Sequence, residues 1–276
     1  MTDPNGVTGA EIRSAIRALG LAGKPVCAHS SLRSFGRVEG GAGTVVDAFL
    51  AEGCTLLVPT FSGAAFEAWP DPPDVIERNG WSGPFPAERN PEDVYSPAST
   101  VIDADMGAVP AAVLAMPGRV RGAHPLDSFT AVGPLAHELV RGQGPGHVYA
   151  PLEALVAAGG AVVLMGLGLD RMTLIHMAER RAGRALFVRW ARDAAGAIVR
   201  VRVGGCSGGF GNLAAALAPA IRLINVGQSQ WMVMDAAKVL ELATAAIRAE
   251  PRIPHCGNAA CDRCNDAVLG GPVDVA

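Results

Sequence analysis

Ala161-Val-Val-Leu-Met-Gly-Leu-Gly-Leu-Asp170, continued by Arg171-Met-Thr-Leu-Ile-His-Met-Ala-Glu-Arg-Arg181, is the most informative segment of this 276-residue chain. Its five leading apolar residues carry no polar alternation, which describes a strand covered on both faces in a sheet sandwiched between helices. The run breaks at Gly166 and Gly168, and the pattern over 173–181 predicts a helix. His176 therefore falls in the first turns after a central strand.

Working outward, Pro25-Val-Cys-Ala-His-Ser-Ser31 reads as a second buried strand ending in polar residues. A Gly-rich turn over 36–43, an apolar-periodic helix over 44–51 and the strand Cys54-Thr-Leu-Leu-Val-Pro59 complete a strand, helix, strand unit, which implies a parallel pair. Ile12, Ile16 and Leu19 at helical spacing, with Thr8 and Glu11 as a capping box, predict a first helix. Further helices are expected over 107–116, 134–141, 151–158 and 235–249, with one near Leu213. The segments 186–190 and 197–203 predict a hairpin, and 221–226 a strand. Between 61 and 105 periodicity disappears, and Glu67, Asp71, Asp74, Glu77, Glu88, Glu92, Asp93, Asp103 and Asp105 face only Arg78 and Arg89. An irregular stretch of that length and charge has the composition of a lid over a cationic ligand. A solvated acidic loop is the competing reading. The expected organisation is one α/β domain over 1–276, with 61–105 a lid-like insertion and 255–266 a Cys-rich tail.

Composition narrows the functional classes. Lys plus Arg number 23 against 26 for Asp plus Glu, so no cationic excess exists to neutralise nucleic acid or an anionic bilayer. The first residues lack the features of a signal peptide and no apolar run is long enough to cross a bilayer, so a cytoplasmic protein is expected. In a reducing compartment Cys27 and Cys54, inside apolar strands, read as small core hydrophobes. Cys256-x4-Cys261-x2-Cys264 has metal-ligand spacing, with Cys206 in Gly204-Gly-Cys-Ser-Gly-Gly209 as the fourth ligand and His255 as its alternative. Such a site is a closed structural zinc centre clipping the tail to the body, with free thiols on a mobile tail as the competing reading.

Two polar clusters stand at strand ends, His29-Ser30-Ser31 and Asp170 through Glu179, where open α/β sheets bind ligands. Hydroxyls and backbone N–H groups at such a turn suit an anionic ligand, although Ser30 and Ser31 also suit a purely capping role.

Three blocks occur in a recognisable order: His29-Ser-Ser-Leu-Arg-Ser-Phe-Gly-x-Val-Glu-Gly-Gly41, His124-Pro-Leu-Asp-Ser-Phe-x-Ala-Val-Gly-Pro134, and Leu164-Met-Gly-Leu-Gly-Leu-Asp-x-x-Thr-Leu-Ile-His-Met-Ala-Glu179. Together they resemble the aminoglycoside 3-N-acetyltransferase family over roughly residues 10 to 180. The resemblance implies a three-layer α/β/α sandwich with a mixed, largely parallel central sheet, distinct from the GNAT fold. It implies an acyltransferase of the antibiotic-resistance type that moves the acetyl group of acetyl-coenzyme A (acetyl-CoA) to the 3-amine of an aminoglycoside. The family's general base carries over to His176, an imidazole being able to take an amine proton near neutral pH. Glu179, one helical turn on, either tunes that imidazole or is an exposed helix carboxylate. The resemblance assigns His29, Ser30, Ser31, Leu32, Arg33 and Ser128 to the coenzyme, while His124, next to a proline, is treated as structural. Some members, the apramycin-acetylating branch among them, also carry a C-terminal Cys-x2-Cys.

One departure bears on the substrate. The family places acidic residues after the hairpin, near the histidine and the aminoglycoside, whereas this chain has Val203-Gly204-Gly205-Cys206. Three readings follow: an aminoglycoside N-acetyltransferase, an acetyltransferase of another amine metabolite, or a zinc-stapled relative without catalysis. Whether the chain forms a homodimer is not written in the sequence.

Overall fold

The computed structural model describes residues 6–70, 75–83 and 94–273. Among them, nine strands and ten α-helices follow in the order α1 (Gly9–Ala18), β1 (Pro25–Ser30), α2 (Gly41–Ala51), β2 (Thr55–Pro59), α3 (Gly63–Phe66), α4 (Ala108–Ala115), β3 (Val120–Arg121), β4 (Phe129–Val132), α5 (Ala136–Val140), α6 (Ala150–Ala157), β5 (Ala161–Met165), α7 (Leu174–Arg181), β6 (Phe187–Arg192), β7 (Ile198–Val203), α8 (Ala214–Leu217), β8 (Arg222–Val226), β9 (Ser229–Asp235), α9 (Ala236–Ala249) and α10 (Asp262–Val268).

Seven strands form the main sheet in the order β3-β4-β2-β1-β5-β9-β8, and β6 and β7 form a separate hairpin. The pairs β1 with β2 and β1 with β5 are parallel. The flanking pairs are antiparallel, so β4 and β9 run against the other five strands. The sheet is thus mixed, with its parallel centre where the apolar runs of β1 and β5 predict it.

Period-2 alternation then sorts side chains into two cores. From β5, Val162 and Leu164 enter the core beneath α5, α6, α7 and α9, while Ala161, Val163 and Met165 enter the one beneath α1, α2 and α4. Cys27 likewise points one way and its neighbours Val26 and Ala28 the other. Burial pushes the Cys27 thiol up to about 12, so it stays neutral and acts as a small hydrophobe. The capping box forms as expected: Thr8 Oγ1 accepts from Glu11 N–H and the Glu11 carboxylate accepts from Thr8 N–H. A cap of this kind stabilises a helix by about 1 kcal/mol.

Three strands are absent from the sequence reading: the two-residue β3, β4 and β9. β4 lies inside the His124 block, where the sequence reading places no strand, and it pairs antiparallel with β2. β9 fills the gap between the 221–226 strand and the last helix; its Trp231 packs between Phe35 and Phe49 at ring distances of 5.9 and 6.1 Å. Gly227, at φ 59°, turns the chain between β8 and β9. No helix among the described residues is long and apolar enough to cross a membrane.

The described part of the 61–105 segment is not free of structure. Trp69 packs on Trp190 of β6 at 5.4 Å and on Trp81 at 5.6 Å. Residues 78–82 grip the tail helix: Gly80 N–H donates to Asp266 and Ser82 Oγ to Asp262, at 2.7 and 2.5 Å.

Candidate functional site

The carboxyl ends of β1 and β5 lie side by side, with Ser30 in register with Met165. A cavity of about 1030 Å³ opens above them. His29, Ser30, Ser31, Leu32 and Arg33 all line it, as do His176, Tyr149 and Gly204. The two strand-end clusters found in the sequence therefore share one space. Ser30 Oγ is buried and has no hydrogen-bond partner among the described residues. A hydroxyl left in that state lacks the bond that buried polar groups ordinarily make, so it fits a ligand atom. His29, also buried, is pushed down to about 4 by desolvation and is neutral near pH 7.

Ser128 lies elsewhere. It is fully buried, and its hydroxyl accepts from Arg121 Nε at 2.9 Å and donates to Thr60 O at 2.9 Å. Its polar capacity is spent inside the fold, so it does not reach the cavity with the other five coenzyme residues. His124 is structural: Nδ1 accepts from Leu126 and Asp127 N–H at 3.3 and 2.9 Å, and Nε2 bonds Arg202 O at 2.9 Å. Desolvation lowers it to about 4.

His176 occupies the first turn of α7, with 9% of its surface exposed. Its Nδ1 lies 2.8 Å from Oε2 of Glu179. Glu179 in turn accepts from Arg184 Nη1 at 2.5 Å, and Arg184 also bonds Pro251 O. The ring stacks parallel to Tyr149 at 6.2 Å and meets Phe210 edge-on at 4.7 Å. A carboxylate at Nδ1 fixes the proton there and leaves Nε2 as the basic nitrogen. Nε2 has no hydrogen-bond partner among the described residues.

The missing acid after the hairpin has a steric reason. A Cβ on Gly204 would collide with Tyr149 Oη and lie 3.0 Å from the His176 ring. Tyr149 fills the place a side chain at 204 would take. Burial and the nearby Asp127 and Glu179 charges raise its phenol well above the ordinary value, so it stays protonated.

Among acids of the 61–105 segment, Glu67 and Asp105 line the cavity, and Glu67 pairs with buried Arg189 at 3.7 Å. Asp103 instead accepts from Ala64 N–H at 3.1 Å. Asp71, Asp74, Glu88, Arg89, Glu92 and Asp93 lie outside the described residues. Desolvation lowers Arg189 to about 10, which leaves it cationic near pH 7.

The Sγ atoms of Cys206, Cys256, Cys261 and Cys264 lie within 4.8 Å of one another. A tetrahedral thiolate site with zinc–sulfur bonds of about 2.3 Å spaces its sulfurs by about 3.8 Å, so the set fits such an ion. Gly208 and Cys256 N–H groups point at Cys206 and Cys264 sulfur, both at 3.4 Å. His255 is not part of the set, because its nitrogens are engaged by Asn265 Oδ1 and Gly257 N–H at 3.1 and 3.0 Å. Cys206 and Cys264 share a crevice with Glu179 and Arg184, so the cluster backs onto the carboxylate that holds His176.

Four cavity or support residues escape the sequence reading: Asp127, Tyr149, Arg184 and Arg263. Arg263 stands between two tail cysteines and Asp127 inside the His124 block, so both were visible as motif residues. Nothing in the sequence marks Tyr149 or Arg184.

Known proteins share sequence and fold with this chain. The family described as aminoglycoside 3-N-acetyltransferase matches residues 27–248. Aminoglycoside N(3)-acetyltransferase VIII of Streptomyces fradiae is 38% identical over 184 residues, covering 64% of this chain and 62% of the relative. The chain thus matches less than two thirds of that relative's length. In three dimensions, the aminoglycoside acetyltransferase AAC(3)-IVa apoenzyme superposes with a TM-score of 0.77 at 22% identity, over 96% of this chain and 98% of that one. AAC-IIIb in a binary complex with CoASH superposes with a TM-score of 0.70 at 23% identity, over 88% and 96%. These two likenesses establish the shared fold. AAC(3)-IVa has also been solved in complex with a gentamicin and with apramycin.

Proposed function

The chain belongs to the aminoglycoside 3-N-acetyltransferase family, and on that footing we propose that it transfers an acetyl group from acetyl-CoA to an amine, the 3-amine of an aminoglycoside. The observation that carries the reading is the His176–Glu179 contact of 2.8 Å on the wall of a cavity that also holds the unpartnered Ser30 hydroxyl.

Acetyl-CoA, when bound, supplies an acetyl group activated as a thioester. His29, Ser30, Ser31, Leu32 and Arg33 form its binding wall, Ser30 and Ser31 through hydroxyls and Arg33 through its charge toward phosphate. The CoASH held by AAC-IIIb, which has the same fold, supports coenzyme A as the ligand of this fold. His176 takes the proton of the acceptor nitrogen at Nε2, the freed lone pair forms the bond to the acetyl carbon as its bond to sulfur breaks, and the imidazolium returns a proton to the departing coenzyme thiolate. Glu179 compensates the resulting imidazolium and keeps the ring aligned, and Arg184 keeps Glu179 aligned.

Cys206 and the three tail thiolates would hold a structural zinc ion, which closes its own coordination shell and offers the substrate no position. About one zinc per chain is expected on metal analysis of protein purified without chelator, and none would sink this part of the reading.

Gentamicin and apramycin, ligands of AAC(3)-IVa, are the first acceptors to test. Thiol release from acetyl-CoA with gentamicin, apramycin, kanamycin and simple amines distinguishes the readings. Turnover with an aminoglycoside supports the proposal. Turnover with simple amines alone supports a non-aminoglycoside acceptor, for which the acid-free Gly204-Gly205 segment speaks. No turnover and no coenzyme binding leave a non-catalytic relative.

A further inference from the structure

Four carboxylates line the cavity, Glu67, Asp105, Asp127 and Asp170, and neither the proposed base nor the coenzyme wall uses them. Asp127 sits in the loop between β3 and β4, and its backbone is clamped: His124 accepts its N–H at 2.9 Å and Gln143 donates to its carbonyl at 2.9 Å. Gln143 also accepts from Phe129 N–H at 2.9 Å, so the chain is fixed beyond the residue as well. The side chain reaches the cavity that holds His176 and Tyr149.

Asp127 feels the charges of His176 and Arg263 across the cavity but is bonded to neither. Glu67, in the same wall, pairs with Arg189 at 3.7 Å, and Asp170 with Arg171 at 3.6 Å. The Asp127 carboxylate has no hydrogen-bond donor and no ion pair among the described residues. A half-buried anion with no bonded partner gains when a cation meets it. The segment after β7 cannot supply another carboxylate beside His176, because Gly204 has no room for a side chain.

We infer that Asp127 anchors a second, charged amino group of the acceptor, so that the enzyme selects compounds bearing at least two amines on a rigid frame and offers the neighbouring neutral nitrogen to His176. This inference rests on the acetyl-transfer reading above. One amine must lose its proton to react while its neighbours stay cationic, and a preset carboxylate holds the neighbour without being consumed. Asp127 is then a specificity-determining residue, acting on the acceptor and not on the coenzyme. The charge also raises selectivity against monoamines, which leave the carboxylate unpaired.

Asp127→Asn keeps the shape and removes the charge, and thermal melting verifies that it folds. At saturating acetyl-CoA, KM for apramycin is expected to rise about tenfold or more with kcat within about threefold, as for loss of a desolvated charge pair. KM for the monoamine glucosamine and the affinity for CoA stay unchanged, and Asp127→Glu recovers part of the loss. An apramycin KM within about twofold of wild type in Asp127→Asn, with wild type active, overturns the inference alone. Should wild type acetylate no amine, the acetyl-transfer reading fails, and calorimetric titration with apramycin still reads this site. Binding weakened about tenfold by Asp127→Asn supports it, and equal or absent binding overturns it.

Discussion

Nδ1 of His176 and Oε2 of Glu179 stand 2.8 Å apart, one turn apart on the same helix. The i to i+3 spacing that makes them neighbours in sequence also makes them a rigid unit, since both belong to α7 and neither can drift relative to the other. Replacing Glu179 by Gln should lower kcat about 100-fold or more, the order seen when a histidine loses the carboxylate that sets its tautomer. KM for acetyl-CoA should change little. Steady-state kinetics with both substrates varied checks the split.

Gly204 should tolerate no side chain. Gly204→Ala drives a methyl into Tyr149 Oη and places it 3.0 Å from the His176 ring, so about 1–3 kcal/mol of stability and most activity are expected to be lost. Tyr149→Phe removes the nearer obstacle and should restore part of the stability but not the ring contact. A double-mutant cycle by chemical denaturation measures the coupling.

Asp127 predicts a pH dependence of acceptor binding. Desolvation pushes its carboxyl from 3.8 up to about 6, against the opposing pulls of His176 and Arg263 and with Asp103 and Glu67 adding to the rise. Ammonium binding needs the ionised form, so affinity for a polyamine should be full above about 6 and fade as the pH falls toward about 4. Stability runs the other way. A folded pKa above the unfolded one contributes stability that is present below 3.8 and lost as pH rises through about 6. Asp127→Asn should flatten both profiles, which calorimetry and thermal melts across that range would reveal.

Much of this was readable beforehand, and the limits have physical causes. β1, β5 and the start of α7 announced themselves because a strand covered on both faces must be continuously apolar. β4 hid because its four residues sit between the His124 loop and Gly133, and β9 because it passes directly into α9 without a breaker. His176 and Glu179 share one helix turn, so spacing alone could pair them. Tyr149 comes to the site through tertiary packing, which leaves no local pattern, and Arg184 is folded back onto Glu179 by the turn that ends α7, a spacing outside the helical i to i+3 or i+4 pattern. Ser128 was ambiguous because a serine in a motif can serve a ligand or the fold, and its bonds to Arg121 and Thr60 appear only in three dimensions.

The cysteine cluster ties together segments far apart in the chain, Cys206 after β7 and the tail helix that grips residues 78–82. Removing metal with a strong chelator, or substituting Cys261→Ser, should lower Tm by several degrees or more and increase protease sensitivity of the tail. Readdition of zinc should restore the chelated protein but not the variant.

The most direct test of the account is the rate of acetyl transfer in His176→Ala alongside its affinity for CoA. The account predicts kcat reduced about 100-fold or more with the CoA dissociation constant within about threefold of wild type, because a base acts on the chemical step and not on coenzyme capture. A variant that turns over as fast as wild type would contradict it.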